Sequence, residues 1–180
     1  MSHLKKFCAA LAEKGADAAI IGSKLNQKYL SDFDFDDGFV LVTKGQSYLI
    51  TDFRYVEAAT EQRNPELEVL MPNIGMLTCM GELLRENGCR KVMIEEETLS
   101  FADYGKYSEK LTGMELCSGA SALLEELRLY KDEKELETMA RAQAVTDAAF
   151  AHILNFIKPE MTEIEVALEL EFFMRRNGAD

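Results

Sequence analysis

The sequence predicts an α/β protein in which a mixed β-sheet is covered by helices and followed by a C-terminal helical pair. Three observations support this fold class. Short apolar runs typical of strands alternate with helix-length segments as far as residue 117, two of these runs are close enough to form a hairpin, and every later segment has a helical pattern. Parallel strands need helical crossovers whereas a hairpin is antiparallel, so the sheet is expected to be mixed.

Ten predicted elements lie within the first 117 residues, and local signals bound them. Gly15 and Gly88 can end helices in a left-handed conformation, and Ser100 is a typical N-cap. Lys44-Gly45 supplies the hairpin turn, whereas Asn64-Pro65 stops a helix. In chain order the elements are a helix with Leu4, Phe7 and Leu11 on one face, a strand at 18–22, strands at 38–43 and 46–50, a helix at 53–62, a strand at 67–71, a helix at 76–87, a strand at 91–95, a helix at 101–110 and a strand at 114–117.

The remainder of the chain is expected to be helical, so the sequence predicts an α/β domain at 1–121 and a helical segment at 122–180. Two helices there carry apolar residues on more than one side, which is more apolar surface than two helices bury against each other. A further packing partner is therefore expected. The helices are bounded by capping boxes at Asp132/Glu135 and Thr162/Glu165, a break at Lys158-Pro159 and a stop at Asn177-Gly178.

Composition and charge exclude several classes of partner. Thirty-two acidic residues against twenty basic ones give a net charge of −12, which repels nucleic acid and anionic membrane surfaces. The start, MSHLKKFCAALAEKG, has no long apolar region or cleavage site, and no stretch is long and apolar enough to span a bilayer. We therefore expect a cytoplasmic protein with neither a nucleic-acid nor a membrane partner.

The cysteines and histidines give no sign of a metal site. Four cysteines lie far apart without a Cys-x-x-Cys pair, in or beside apolar segments, and are expected to be buried free thiols. Only His3 and His152 are present, so a histidine-based metal site is not expected. His152 lies beside Ile153 on a predicted helix and is expected to be a packing or surface residue.

The segment SDFDFDDG at 31–38 is a candidate site because it carries four carboxylates around two phenylalanines. Its Asp-x-Asp-x-Asp spacing resembles the start of a calcium loop, but Asp37 occupies the place of the turn glycine and Thr43 that of the bidentate glutamate. Two interpretations stay open. The aspartates can fix turns by bonding backbone amides, or the loop can contact substrate, with Phe33 and Phe35 as apolar anchors and carboxylates that hold an ammonium group.

Three segments together resemble the creatinase, prolidase and aminopeptidase P group of pita-bread metallopeptidases, and they cover nearly the whole chain. The first is LNQKYLSDFDFDDGFVLVT, similar to the family's asparagine-x-x-tyrosine-leucine segment and hairpin strand. The second is TDFRYVEAA, similar to its threonine-aspartate-x-arginine-tyrosine strand end. The third runs from RLYKDEKELETMARAQ to FFMRRNGAD and resembles the linker and first two helices of the catalytic domain.

The resemblance implies a creatinase-type N-terminal domain followed by an incomplete catalytic domain. It implies, in the full-length parent, a hydrolase of peptide bonds next to proline, an Xaa-Pro dipeptidase or aminopeptidase, with two divalent metal ions such as Mn, Co or Zn. Their ligands in the family are two aspartates, one histidine and two glutamates, all downstream of the matched segments. No catalytic residue or metal ligand is therefore assigned in this chain, which is expected to be inactive alone.

The resemblance also implies a homodimer in which loops of this domain close over the partner subunit's active site. Asp36 and Asp37 would then hold a substrate amine, Arg54 would meet a carboxylate, and Tyr55 would stand beside them. The structural alternative makes Asp52 a helix N-cap, Arg54 its surface partner and Tyr55 a core residue.

Two departures from the family pattern concern glycines. Ser31-Asp32-Phe33 stands where threonine-glycine-phenylalanine is usual, and Glu160 replaces the glycine common after Lys158-Pro159. Two other functions also remain open from the sequence: a stand-alone binding or assembly module without enzymatic activity, and a parent with creatinase-like amidinohydrolase activity.

Overall fold

The computed structural model of the protein describes residues 1–179, which fall into two compact units that divide after Leu129. The first unit contains six strands and six helices. They are α1 (His3–Glu13), β1 (Ala18–Ile21), α2 (Lys24–Ser31), β2 (Gly38–Thr43), β3 (Ser47–Thr51), α3 (Val56–Gln62), β4 (Leu67–Leu70), α4 (Met76–Glu86), β5 (Lys91–Ile94), α5 (Phe101–Lys110), β6 (Glu115–Cys117) and α6 (Ala120–Leu129). The domain limits inferred from sequence, 1–121 and 122–180, stay a prediction.

The six strands form one mixed sheet in the order β4-β3-β2-β1-β5-β6. Only β2 runs against the others: it is antiparallel to β1 and β3, whereas β1–β5, β5–β6 and β3–β4 are parallel pairs. The mixed sheet and its β2–β3 hairpin confirm the fold class predicted from sequence. The register places Val40 opposite both Ile21 and Leu49 at the centre of the sheet.

Alternation along the strands divides the core into two layers, one on each face of the sheet. One layer packs helices α1, α2, α3 and α6 on the sheet through buried residues such as Phe7, Leu30, Ala59 and Leu124. The other packs α4 and α5 on the opposite face through Met80, Leu84, Tyr107 and Leu111. Because successive strand residues point to opposite faces, neighbours such as Ile20 and Ile21 belong to different layers.

Strand direction places several loops at one edge of the sheet. The carboxyl ends of β1, β3 and β5 meet the amino end of β2 there, because β2 runs in the opposite sense. The segments that follow β1, β3 and β5 and the acidic loop that precedes β2 are therefore neighbours in space.

Two elements differ from the sequence prediction. Helix α2 was not predicted, since its buried residues include the polar Asn26, Gln27 and Ser31 and give little apolar periodicity. Helix α3 begins at Val56 rather than at Phe53, with Tyr55 as its N-cap. Asp52 instead accepts the Arg54 N–H at 2.9 Å in a turn, so the alternative of Asp52 as helix N-cap is wrong.

The second unit, from Tyr130 onward, contains α7 (Glu133–Phe156) and α8 (Glu163–Arg176). Both predicted capping boxes are present, because each N-cap side chain accepts from the backbone three residues on and the glutamate there bonds back. Of its described residues only Ala149 and Ile153 are buried. Large apolar side chains stay exposed on both helices, at Leu136, Met139, Phe150, Leu154, Ile164, Leu168 and Phe172.

Smaller predictions can also be assessed. All four cysteines are free thiols, but only Cys89 is buried; Cys8, Cys79 and Cys117 are half-buried, so their predicted burial is wrong. His152 packs on Phe173 with ring centroids 4.3 Å apart and bonds Glu169 at 2.7 Å, so it is a packing residue as predicted. No helix within residues 1–179 combines the length and hydropathy required to cross a bilayer.

Candidate functional site

The acidic loop at 31–38 is held to the core by its two phenylalanines. Phe33 and Phe35 are buried and stack with centroids 5.9 Å apart, and Phe35 meets the Tyr55 ring edge-on at 6.4 Å. These rings anchor the loop and are not exposed to a ligand. The carboxylates of Asp34, Asp36 and Asp37, beside these rings in the sequence, consequently stay exposed.

Three backbone features fix the shape of this loop. The Ser31 hydroxyl accepts the Phe33 N–H at 3.1 Å, and Asp32 closes α2 in the left-handed region at φ 58°. At the other end, Gly38 has φ 151°, and a Cβ there would lie 2.2 Å from the Ile50 carbonyl oxygen. Only glycine fits that close approach, so Gly38 sets where the loop enters β2.

Arg54 connects the loop to the segment after β3. Its guanidinium donates to Asp37 at 2.5 Å and to Asp52 at 2.6 Å, and it lies 5.5 Å from the centroid of the Tyr55 ring. The Tyr55 hydroxyl bonds Asp36 at 3.3 Å. The four site residues predicted from sequence, Asp36, Asp37, Arg54 and Tyr55, are thus brought together, and they bond one another.

Two lysines of α2 complete the group. Lys24 bonds Asp36 at 2.7 Å and approaches Asp34 at 3.4 Å, while Lys28 bonds Asp34 at 2.9 Å. One helical turn separates the two lysines, so both face the loop. We call this group the charged network; its members are Lys24, Lys28, Asp34, Asp36, Asp37, Asp52, Arg54 and Tyr55.

Three carboxylates of the network have lowered pKa values. The Lys24 ammonium lowers the pKa of Asp36, the Lys28 ammonium lowers that of Asp34, and Arg54 lowers that of Asp52. The hydrogen bonds that Arg54 donates to Asp52 and Asp37 raise its own pKa. The side chains of Lys24, Asp36, Asp37 and Arg54 are all more than half exposed, so a charged ligand can exchange for an internal partner at little cost.

The sequence reasoning found half of this network. Lys24 and Lys28 were missed because α2 was not predicted, although an i, i+4 lysine pair beside an acidic loop was a usable signal. The Arg54–Asp52 ion pair of the structural alternative is present, and Tyr55 packs half-buried against the core. Substrate binding by the four predicted residues stays a prediction.

Glu95 is a buried carboxylate at the same edge that the sequence reasoning missed entirely. It follows β5 and is 3% exposed. It accepts the Gly22 and Ser23 N–H groups at 2.6 and 2.8 Å, the Ser23 hydroxyl at 2.6 Å and the Asn26 amide at 2.6 Å. Glu95 therefore caps the start of α2 from another strand.

The described residues do not form a two-metal centre. Within either unit taken alone, residues 1–179 bring no three histidine, cysteine, aspartate or glutamate ligand atoms together at metal-site spacing. The loop carboxylates pair with lysine and arginine instead of converging on one point. A dinuclear site needs a larger set of converging ligands than these, so no chemical step through a metal is assigned to them.

Comparison with known proteins gives two consecutive family matches. Residues 3–130 match the Creatinase/Prolidase N-terminal domain, and residues 137–180 match metallopeptidase family M24. The chain is 32% identical to the uncharacterized peptidase YqhT of Bacillus subtilis over 98% of its own length and 50% of that protein.

Solved structures agree with these matches. An Xaa-Pro dipeptidase from Bacillus anthracis is 35% identical with a TM-score of 0.91, over 98% of this chain and 49% of that one. The N-terminal domain of the cytoplasmic peptidase PepQ from Mycobacterium tuberculosis is 28% identical with a TM-score of 0.63, over 70% of this chain and 98% of that one. The chain spans about half the length of the curated relatives it matches.

Proposed function

The chain belongs to the creatinase/prolidase N-terminal domain family, and from this premise we propose that it is the N-terminal part of a metal-dependent hydrolase that cleaves peptide bonds next to proline. The observation that carries the proposal is the match to an Xaa-Pro dipeptidase over 98% of the chain at a TM-score of 0.91. The match to metallopeptidase family M24 that begins at residue 137 supports metal dependence of the parent.

The metal centre of the parent is proposed to lie in the half of the relatives that this chain does not match. The named relatives are peptidases, which favours a peptidase over an amidinohydrolase. The PepQ relative is described as cytoplasmic, and we propose the same location for the parent.

The charged network is proposed to gate the active site and to bind the two ends of the substrate. A short Xaa-Pro peptide is a zwitterion, and the network offers a group of each sign. A substrate ammonium can replace Lys24 on Asp36, and a substrate carboxylate can replace Asp37 on the guanidinium of Arg54. The buried Phe33 and Phe35 anchor the loop that carries Asp36 and Asp37.

This gating role predicts a specific kinetic effect in the full-length parent. Replacing Asp36→Asn or Arg54→Ala removes one charged substrate contact and is expected to raise KM for an Xaa-Pro dipeptide about tenfold, with kcat changed much less. Steady-state kinetics would measure this. Glu66→Gln is the matched control, because Glu66 also forms an exposed ion pair, with Lys5 at 2.5 Å, at the amino end of β4. An unchanged KM in both network variants would rule out the role in substrate binding.

The proposed homodimer and its action in trans can be tested by mixing subunits. One parent subunit would lack metal binding but keep the network, and the other would keep metal binding but carry Arg54→Ala. If the network acts across the dimer, the mixed species is expected to recover the low KM, whereas action within one subunit leaves KM high. Sedimentation of the unmodified parent as a monomer would contradict the dimer.

The 180-residue chain by itself is expected to be inactive. Because the metal centre is proposed to lie in the unmatched half of the relatives, we expect no cleavage of a Gly-Pro peptide with Mn(II) or Co(II) above a blank that contains the metal alone. A chromatographic assay of released proline would measure this. Metal-dependent turnover by this chain would overturn the assignment of the metal centre to the unmatched half of the relatives.

A further inference from the structure

The sheet has a topological switch point between β1 and β5. These strands are adjacent and parallel, and the chain leaves β1 into α2 on one face but continues after β5 into α5 on the other. The two connections diverge and leave a crevice at the carboxyl ends of the strands. Small ligands of open α/β sheets bind at such crevices.

A cavity of about 500 Å³ occupies this crevice. Its walls are mainly apolar and come from both β-strands and from the helices of the α4–α5 face. The principal lining residues are Ile20, Phe39, Leu77, Ile94, Leu99 and Tyr107. A cavity of this size and lining matches the sites that proteins use for small, largely apolar molecules. None of the charged network lines it, so it is independent of the function proposed above.

Tyr107 gives the cavity an unused polar group. The residue is 6% exposed, its ring meets Phe39 edge-on at 6.4 Å, and its hydroxyl has no hydrogen-bond partner among residues 1–179. The hydroxyl oxygen itself is not fully buried. It opens on the cavity, where an acceptor atom of a ligand can take the place of water. Burial, with the charges of Asp103 and Glu95, raises its pKa to about 12, so the hydroxyl remains protonated and can donate.

The charged groups at the cavity are already occupied. Glu95 accepts four hydrogen bonds from the start of α2, and Asp103 is bonded by the Ser100 hydroxyl at 2.7 Å and by Lys106 at 2.6 Å. Neither carboxylate is free to bind a cation, and the Lys106 ammonium, which also lines the cavity, is paired with Asp103 and so is not free to bind an anion. These groups therefore select against a charged ligand.

We propose that this cavity binds an uncharged small molecule with an apolar body and a carbonyl oxygen that accepts the hydrogen bond of Tyr107. The apolar body lies between Phe39, Leu77 and Leu99, and the carbonyl faces α5. The occupant is a free small molecule; an apolar side chain of another protein is the competing occupant that the experiment distinguishes.

The test is a titration of the ¹⁵N-labelled chain with N-acetyl-L-leucinamide, an uncharged amide with an apolar side chain. We expect saturable shifts of backbone amides at Gly22, Ser23, Thr98 and Leu99, and about tenfold weaker binding to Tyr107→Phe. N-acetyl-L-leucine, which carries a carboxylate, is expected to bind more weakly than the amide. Thermal unfolding of Tyr107→Phe should be unchanged, because the lost hydroxyl has no partner in the fold.

Two variants complete the design. Tyr104→Phe is the matched control, since Tyr104 lies on the same helix, is 40% exposed and does not line the cavity. Leu77→Phe is expected to fill the cavity and abolish the shifts. Shifts that fail to saturate, or equal affinity in Tyr107→Phe and the unmodified chain, would overturn the proposal. If the chain binds a leucine-containing protein segment but not the free amide, the proposal of a small-molecule occupant is overturned and the occupant is a protein partner.

Discussion

Two residues hold a backbone conformation that glycine adopts at lower cost. Asp32 and Glu160 are the only non-glycine residues with positive φ in the described chain, at 58° and 72°. They are also the two positions at which the sequence departs from the glycines usual in the family it resembles. The structure thus explains both departures physically: the backbone has kept the glycine conformation while the side chain has changed.

Restoring glycine at these positions is expected to stabilise the protein. Asp32→Gly removes the energetic cost of the left-handed backbone conformation, and this gain exceeds the extra conformational entropy that glycine gives the unfolded chain. The free energy of unfolding should therefore rise by about 0.5–1 kcal/mol. Glu160→Gly should act in the same direction on the second unit. Urea denaturation would measure the change. Glu109→Gly, at an exposed position within α5, is the control and should lower the free energy by about 1 kcal/mol.

Among contacts between secondary-structure elements, the Asp17 carboxylate connects the start of β1 to the start of β5 and to the end of β2. It precedes β1, and its carboxylate accepts the Arg90 and Lys91 N–H groups at 2.9 and 3.0 Å and the Lys44 ammonium at 3.2 Å. Mainly through the Lys91 and Arg90 bonds, its pKa falls to about 2. The start of β1 is consequently fixed to both neighbouring strands by one side chain.

This contact should make stability depend on pH in a defined window. Because the pKa of Asp17 is lower in the folded chain than in the unfolded chain, its ionised carboxylate stabilises the fold. This contribution to the free energy of unfolding is full above about pH 4 and is lost as pH falls through about 2. Asp17→Asn is expected to lower the free energy of unfolding by about 1 kcal/mol at pH 7, after allowance for solvent screening, with the difference closing towards pH 2. A difference that stays constant from pH 7 to pH 2 would contradict this origin, and Glu109→Gln serves as an exposed control.

The elements were predictable to different degrees, for physical reasons. Strand β2 is buried on both faces from Val40 to Thr43 and gives a nearly continuous apolar run, which a short sequence window reveals. Capping boxes are also local patterns and can be inferred in the same way. Helix α2 could not be predicted in this way, because its amino end is stabilised by Glu95, whose partners lie 69 to 73 residues away in the sequence. The candidate site was recognised through its acidic run and family resemblance, while its lysines depended on that missed helix.

At the scale of the whole molecule, the two units differ in how much apolar surface they bury. The first has a two-layer core on both faces of a sheet, whereas the described part of the second buries only Ala149 and Ile153. Helix propensity and capping alone give marginal stability in water. The two units are therefore not expected to be equally stable.

Hydrogen exchange should resolve this difference. Amides in β1, β2 and β5 are expected to exchange only through global unfolding of the first unit, and those of α7 and α8 at least tenfold faster through local opening. Mass spectrometry of the exchanged chain after proteolysis would measure it. Equal protection of α8 and β2 would show that the exposed apolar residues of the second unit are covered in solution.

The strand order also sets a sequence of events during synthesis on the ribosome. Strands β1 to β4 are neighbours in both chain order and space, so residues 18–70 can assemble while the rest is still being translated. The side of β1 that faces away from β2 stays unpaired until β5 is made, because its partner residues in β5 lie more than 70 positions later in the chain. During that interval an apolar strand, Ala18–Ile21, presents unpaired backbone groups, and these are the groups most exposed to mispairing with a second nascent chain.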